Sequence, residues 1–139
     1  MQFQPYLTFD GSCAEAMKFY ERVIGGNVNM MMRFGDAPKP CGEMPPGSED
    51  RIMHACLNFQ DSLLMASDSM PGQPYEGIKN VGIALTYPTP DEAKPVFNAL
   101  SEGGQVTMPM SETFWAESFG MVTDRFGTTW LISGGPKAM

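Results

Sequence analysis

Apolar and polar residues alternate along the chain in two rhythms, one of strands and one of helices. "PYLTF" at 5–9 reads as a short strand, ended by Asp10-Gly11. Met17, Tyr20 and Ile24 then recur at helical spacing with Val23 beside them, and Gly25-Gly26 stops the helix. Ser12 stands three residues before Glu15, the capping-box spacing that satisfies orphan amides at a helix start. "NVNMMMRFG" follows as a strand. Ile52–Phe59 and Ser62–Asp68 read as two further strands joined by a tight Gln60-Asp61 turn, with Ser67 and Asp68 as a plain strand end.

The second half repeats the first. Shifting the sequence by 78 residues lays "PYLTFDGSCAEAMKFYERVIGGNV" (5–28) on "IALTYPTPDEAKPVFNALSEGGQV" (83–106) without a gap. Leu7 falls on Leu85, Thr8 on Thr86, Phe19 on Phe97, and Gly25-Gly26 on Gly103-Gly104. Thr89 and Glu92 repeat the capping box, with Pro90 at the first helical position. Pro95 removes a helical hydrogen bond and predicts an irregular first turn. Val81–Tyr87, a helix near Asp91–Glu102, then Gln105–Phe114, Phe119–Asp124 and Thr128–Ser133 complete the unit. In the last strand Trp130 and Ile132 point one way, and Thr129, Leu131 and Ser133 the other.

A coincidence in phase with the predicted elements marks a duplicated unit. Each module reads strand–helix–strand–strand–strand, one over about 1–72 and one over about 78–139 of a single domain. The predicted class is α+β: two βαβββ modules whose curved mixed sheets surround a cavity. Between the elements, 36–50 holds four prolines and two glycines, a density that leaves only a loop. Its length suits a lid or a partner-binding arm. "SMPGQPYEGIKN" is a second loop.

Composition narrows the function. A net charge of −7 repels phosphates, so neither nucleic acid nor an anionic membrane is expected as partner. No apolar run reaches the roughly 18–20 residues of a membrane span, and the N-terminus lacks a basic start followed by an apolar core. Three cysteines, Cys13, Cys41 and Cys56, form no CxxC pair, which fits a reducing cytoplasm. Thirteen methionines supply adaptable apolar surface for a core, an interface or a pocket. P-loop, GxSxG and Rossmann glycine patterns do not occur.

"PYLTFDG", "AMKFYERVIGG", "MHACLNFQDSLLMASD" and "ETFWAESFGMVTDRFGTTWLI" (112–132) stand in the order and spacing of the vicinal oxygen chelate superfamily. The chain resembles that superfamily, and within it the PhnB-like branch of the glyoxalase/bleomycin-resistance proteins. The resemblance implies paired βαβββ modules and a homodimer, often with modules exchanged between chains. The branch also carries a label of ubiquinone-pathway methyltransferase, yet no glycine-rich strand–turn–helix suited to S-adenosylmethionine is present.

Metal-using members of the superfamily hold a divalent ion with His, Gln or Glu at the inner ends of four strands. Carried over residue by residue, those positions fall on Pro5 and Leu131, and near Met65 and Ile83. None offers a carboxylate or imidazole, so no metal and no other cofactor is expected there. The candidate pocket residues are His54, Met65, Glu112, Trp115 and Leu131. His54 is expected to share a strand face with Ile52, Cys56 and Asn58, as a ligand contact, an acid/base or a structural histidine. "ETFW" recurs in the branch: Trp115 offers a flat stacking face or packs a core, and Glu112 could anchor a cation or face solvent. Asp124-Arg125 is expected to shape a turn. The leading expectation is a metal-independent small-molecule-binding protein, dimeric and cytoplasmic. A glyoxalase-like lyase, isomerase or transferase with a non-standard site, and a structural or regulatory dimer, stay open beside it.

Overall fold

The computed structural model describes residues 1–37 and 46–138. The central part of the predicted 36–50 loop, with Cys41, lies outside the described residues. The chain divides into two compact units, Met1–Gly77 and Ile78–Met139. The first holds β1 (Tyr6–Phe9), α1 (Cys13–Ile24), β2 (Asn27–Arg33), a short 3₁₀ turn at Phe34–Asp36, β3 (Ile52–Phe59) and β4 (Ser62–Asp68). The second holds β5 (Gly82–Tyr87), α2 (Pro90–Ser101), β6 (Gln105–Ser111), β7 (Ala116–Thr123) and β8 (Thr129–Pro136).

The two sheets share one topology, β1-β4-β3-β2 and β5-β8-β7-β6. β1–β4 and β5–β8 pair in parallel, and the other neighbours are antiparallel. The α+β class and the two βαβββ units predicted from the 78-residue repeat are therefore what the chain forms.

Each helix covers one face of its sheet. α1 buries Cys13, Ala16, Met17, Phe19 and Tyr20, beside strand residues Leu7, Phe9, Ala55, Leu57 and Ala66. α2 buries Ala93, Val96, Phe97 and Leu100, beside Val122, Trp130 and Ile132. Each large side chain contributes about 1.5–3 kcal/mol by leaving water. The period-two expectation for β8 holds: Trp130 and Ile132 are buried, while Thr129, Leu131 and Ser133 are half-buried on the opposite face.

The aligned glycine pairs have a steric cause. A side chain at Gly26 would overlap the carbonyl oxygen of Asn58, and one at Gly104 that of Thr123. Both glycines let the turn after a helix pass against a strand. β2 and β6 are edge strands, and Pro109 sits in β6, where a missing amide leaves no central ladder broken.

Five local expectations are corrected. Ser12 makes no side-chain cap; its backbone (φ −101, ψ 9) is not the extended form a cap needs. Asp68 replaces it: Oδ1 accepts from Gly11 N (2.8 Å) and Cys13 N (3.0 Å), and Oδ2 from Ile52 N (2.8 Å). Asp68 is only 4% exposed, so this strand end is a structural carboxylate. The second unit keeps the local device: Thr89 is extended and its Oγ1 accepts from Glu92 N at 3.2 Å. There the register position of Asp68 is held by Gly134, where a side chain would press on the Thr89 backbone.

α2 runs unbroken through Pro95, which is exposed, so the carbonyl freed by the missing amide faces the solvent side. Glu112–Trp115 is the β6–β7 connection rather than strand, because Thr113 closes it: Ala116 N donates to Thr113 Oγ1 at 3.1 Å. A register shift between the Met32–His54 and Arg33–Ile52 pairs turns Ile52 into the core, away from the face of His54.

Burial, and then the Asp68 carboxylate, push the Cys13 thiol up to about 12, from about 9 for a free thiol. The raised value makes the neutral thiol the favoured folded form. Its stabilisation is complete below the unfolded value and is lost as pH rises from about 9 towards about 12. Urea unfolding of wild type against Cys13→Ala is expected to show the wild type losing stability more steeply above pH 9. Parallel pH dependences of the two proteins would refute it.

Candidate functional site

The face of the first sheet turned away from α1 carries a hydrogen-bonded row of three side chains. β3 projects His54, Cys56 and Asn58 to this face, because Ala55 and Leu57 take the core side. β1 alternates likewise, burying Leu7 and Phe9 and leaving Tyr6 out. Tyr6 Oη lies 3.0 Å from His54 Nδ1, and Cys56 Sγ lies 3.2 Å from His54 Nε2. The Tyr6 and His54 rings stack at 5.7 Å with an interplanar angle of 27°. Desolvation pushes the Cys56 thiol up. Both ring nitrogens of His54 are thus engaged, one by a hydroxyl and one by a thiol, and the tautomer sets which of them donates.

Methionines frame this row. Met65 is the register partner of both Tyr6 and Cys56, Met30 of Cys56, and Met32 of His54. Two of the sequence candidates, His54 and Met65, therefore share one surface. Tyr6, Cys56 and Met30 were not among the candidates. The signal that would have found them is the same period-two alternation, applied to β1 and β2 as well as β3.

The second unit holds the other candidates. Leu131 lies on the face away from α2, between its partners Ala84 and Met121. Ile83 pairs with Trp130 on the helix-covered side, so Ala84 is the β5 residue on the face of Leu131. Trp115 is 36% exposed and sits between the rings of Phe114 (4.9 Å) and Phe119 (5.2 Å), edge-on to both. Glu112 is exposed and paired with Lys137 Nζ at 2.6 Å; that hydrogen bond holds its carboxyl below the usual range. Asp124 shapes the turn as expected and does more. Its Oδ1 accepts from Phe126 N (2.9 Å) and Thr128 N (3.1 Å), and its Oδ2 from Trp130 Nε1 (2.8 Å).

The family's divalent ion does not fit these residues. Pro5 lends only its backbone carbonyl, to Met65 N at 3.1 Å, and the side chains of Met65, Ile83 and Leu131 have no oxygen or nitrogen donor. Among the described residues, no group of three or more His, Cys, Asp or Glu lies together as an ion-binding set.

Comparison with known proteins agrees with this architecture. Residues 2–132 match the Glyoxalase/Bleomycin resistance protein/Dioxygenase superfamily. The Escherichia coli protein YjdN is 34% identical, over 96% of this chain and 95% of its own. The crystal structure of Pseudomonas aeruginosa PA1353 is 48% identical, with a TM-score of 0.88 over 96% of this chain and 97% of that one. A Bacillus cereus PhnB protein that carries the name of a 3-demethylubiquinone-9 3-methyltransferase shares the fold. It is 24% identical with a TM-score of 0.78, over 96% of this chain and 99% of that one. The repeat, the paired sheets and these matches lead to one assignment: the chain belongs to the Glyoxalase/Bleomycin resistance protein/Dioxygenase superfamily.

Proposed function

We propose that this chain binds a small molecule without the help of a metal ion, as a cytoplasmic homodimer, with modules exchanged between chains in the manner of its relatives. The observation that carries the reading is the Tyr6–His54–Cys56 row set among methionines on an open sheet face. Such a surface offers polarizable apolar contact and a few fixed polar groups, the usual make-up of a ligand site. The hard-donor positions of the superfamily, by contrast, carry proline and aliphatic side chains. The net charge of −7 favours a cationic guest. No helix among the described residues is long and apolar enough to cross a membrane.

A second reading rests on one observation. His54 is held between a hydroxyl and a thiol, which equips it for proton transfer in a glyoxalase-like lyase, isomerase or transferase.

Titration with cationic aromatic compounds in the presence of EDTA tests the first reading. Saturable binding is expected, with His54→Ala weakening it. A ligand at a hundred times its Kd adds about 2.7 kcal/mol of stability by mass action. Ni²⁺, Mn²⁺ and Zn²⁺ are expected to leave the melting temperature unchanged. A metal-dependent rise in melting temperature, with a turnover that EDTA abolishes, would overturn the proposal. A metal-free turnover lost in His54→Ala would favour the second reading.

A further inference from the structure

One transverse row of the first sheet sets three sulfur-bearing residues side by side. Met30 on β2 and Met65 on β4 are the cross-strand partners of Cys56 on its two sides. Directly opposed residues point to the same face with Cβ atoms about 4.5–5.5 Å apart, close enough for their sulfurs to share one ion. His54 adds a nitrogen, with Nε2 3.2 Å from the Cys56 sulfur. All four side chains are accessible on the face away from α1: Met30 is exposed, and His54, Cys56 and Met65 are half-buried.

The chemistry of this set is specific. Thiolate and thioether are soft ligands that take copper(I) or zinc, whereas magnesium, calcium and manganese prefer oxygen. One thiolate balances one positive charge, so a monovalent ion leaves the loaded site neutral, and a dication would leave unbalanced charge on a half-buried apolar surface. The imidazole is also prepared. With an ion bound at Nε2 the ring proton sits on Nδ1, and Tyr6 Oη, 3.0 Å away, stands where it can accept it.

We propose that Cys56, His54, Met30 and Met65 form a binding site for one copper(I) ion, with Tyr6 as a positioning residue. On binding, the S–H bond of Cys56 breaks, its proton passes to solvent and a sulfur–copper bond forms. Copper stays monovalent, so no oxidant or reductant is consumed. The inference goes beyond the small-molecule reading and does not rest on it. Cys56 and Met30 occupy none of the positions at which the superfamily holds its dication.

Anaerobic titration of the full chain with copper(I), competed by a chromogenic chelator, tests the site; silver(I) serves as a redox-inert probe. One ion per chain is expected, and Cys41→Ser is expected to bind as wild type does. An outer-shell partner alone changes metal affinity about 10–100-fold, so removal of a direct ligand is expected to weaken binding at least tenfold. That loss is expected in Cys56→Ser and in the double variant Met30→Leu/Met65→Leu. The Leu exchanges conserve volume, so the double variant stays informative if Cys56→Ser fails to fold. Tyr6→Phe is expected to weaken copper(I) while leaving the melting temperature of the ion-free protein near wild type. No binding, binding that follows Cys41, or affinity unchanged in the methionine double variant would overturn the proposal.

Discussion

Asp68→Ala is expected to remove about 3–9 kcal/mol of folding stability, because three backbone amides lose their acceptor and each buried donor left unsatisfied costs about 1–3 kcal/mol. The donors are Gly11 N, Cys13 N and Ile52 N. They belong to different elements: the first two open α1, and the third opens β3. One carboxylate at the end of β4 thus ties three neighbours together in a site 4% exposed, and the bonds from Cys13 N and Ile52 N are buried away from water. Asp68→Asn keeps one acceptor oxygen but turns an amide donor towards other donors, so an intermediate loss is expected. Urea unfolding measures both. A loss below about 1 kcal/mol for the alanine variant would show that solvent satisfies these amides.

Asp124→Ala carries the second large effect, about 2–6 kcal/mol, from the two buried donors it leaves at about 1–3 kcal/mol each; solvent reaches the part-buried Phe126 amide. Two of its three donors are the turn amides of Phe126 and Thr128; the third is the indole of Trp130. Trp130 is 1% exposed, so an unpaired Nε1–H would stay stranded inside the second unit. The near-ultraviolet circular dichroism of the folded variant is expected to change with it. A variant as stable as wild type would mean that the turn is held by its backbone bonds alone.

These two carboxylates show what was legible in the sequence. The turn role of Asp124 followed from Asp-Arg-Phe-Gly between two strands, since the chemistry is local. Its grip on Trp130 also lay within reach, six residues ahead in the next strand. Asp68 was read as a plain strand end because its partners lie 16 to 57 residues away. Ser12 and Glu15 had the right spacing for a cap, but the remote carboxylate of Asp68 takes the amides of Gly11 and Cys13 on either side of Ser12, and Ser12 has another conformation. The fold itself was legible because it is written twice: Gly26 and Gly104 recur where a strand carbonyl leaves no room for a side chain.

The candidate site was half legible. His54 and Met65 stood out as a lone titratable group and a carried-over family position. Cys56 follows His54 by two residues on β3, on the face already expected, whereas Tyr6 joins the row only through the parallel β1–β4 and antiparallel β3–β4 registers, which bring distant segments together. The bulge that turns Ile52 into the core left no periodic trace. Ile83 fell on the helix side because Ala84, one residue on, shares the face of Leu131.

The parallel pairing of the outer strands has a consequence for synthesis. β1 leaves the ribosome before the rest of its unit, yet among the described residues its sheet neighbour is β4, the last strand of that unit; β5 and β8 stand in the same relation. Until β4 has cleared the exit tunnel, β1 is an orphan edge. The β3–β4 and β7–β8 hairpins close over short spans, so they are the natural nuclei, and β1 and β5 dock onto them late.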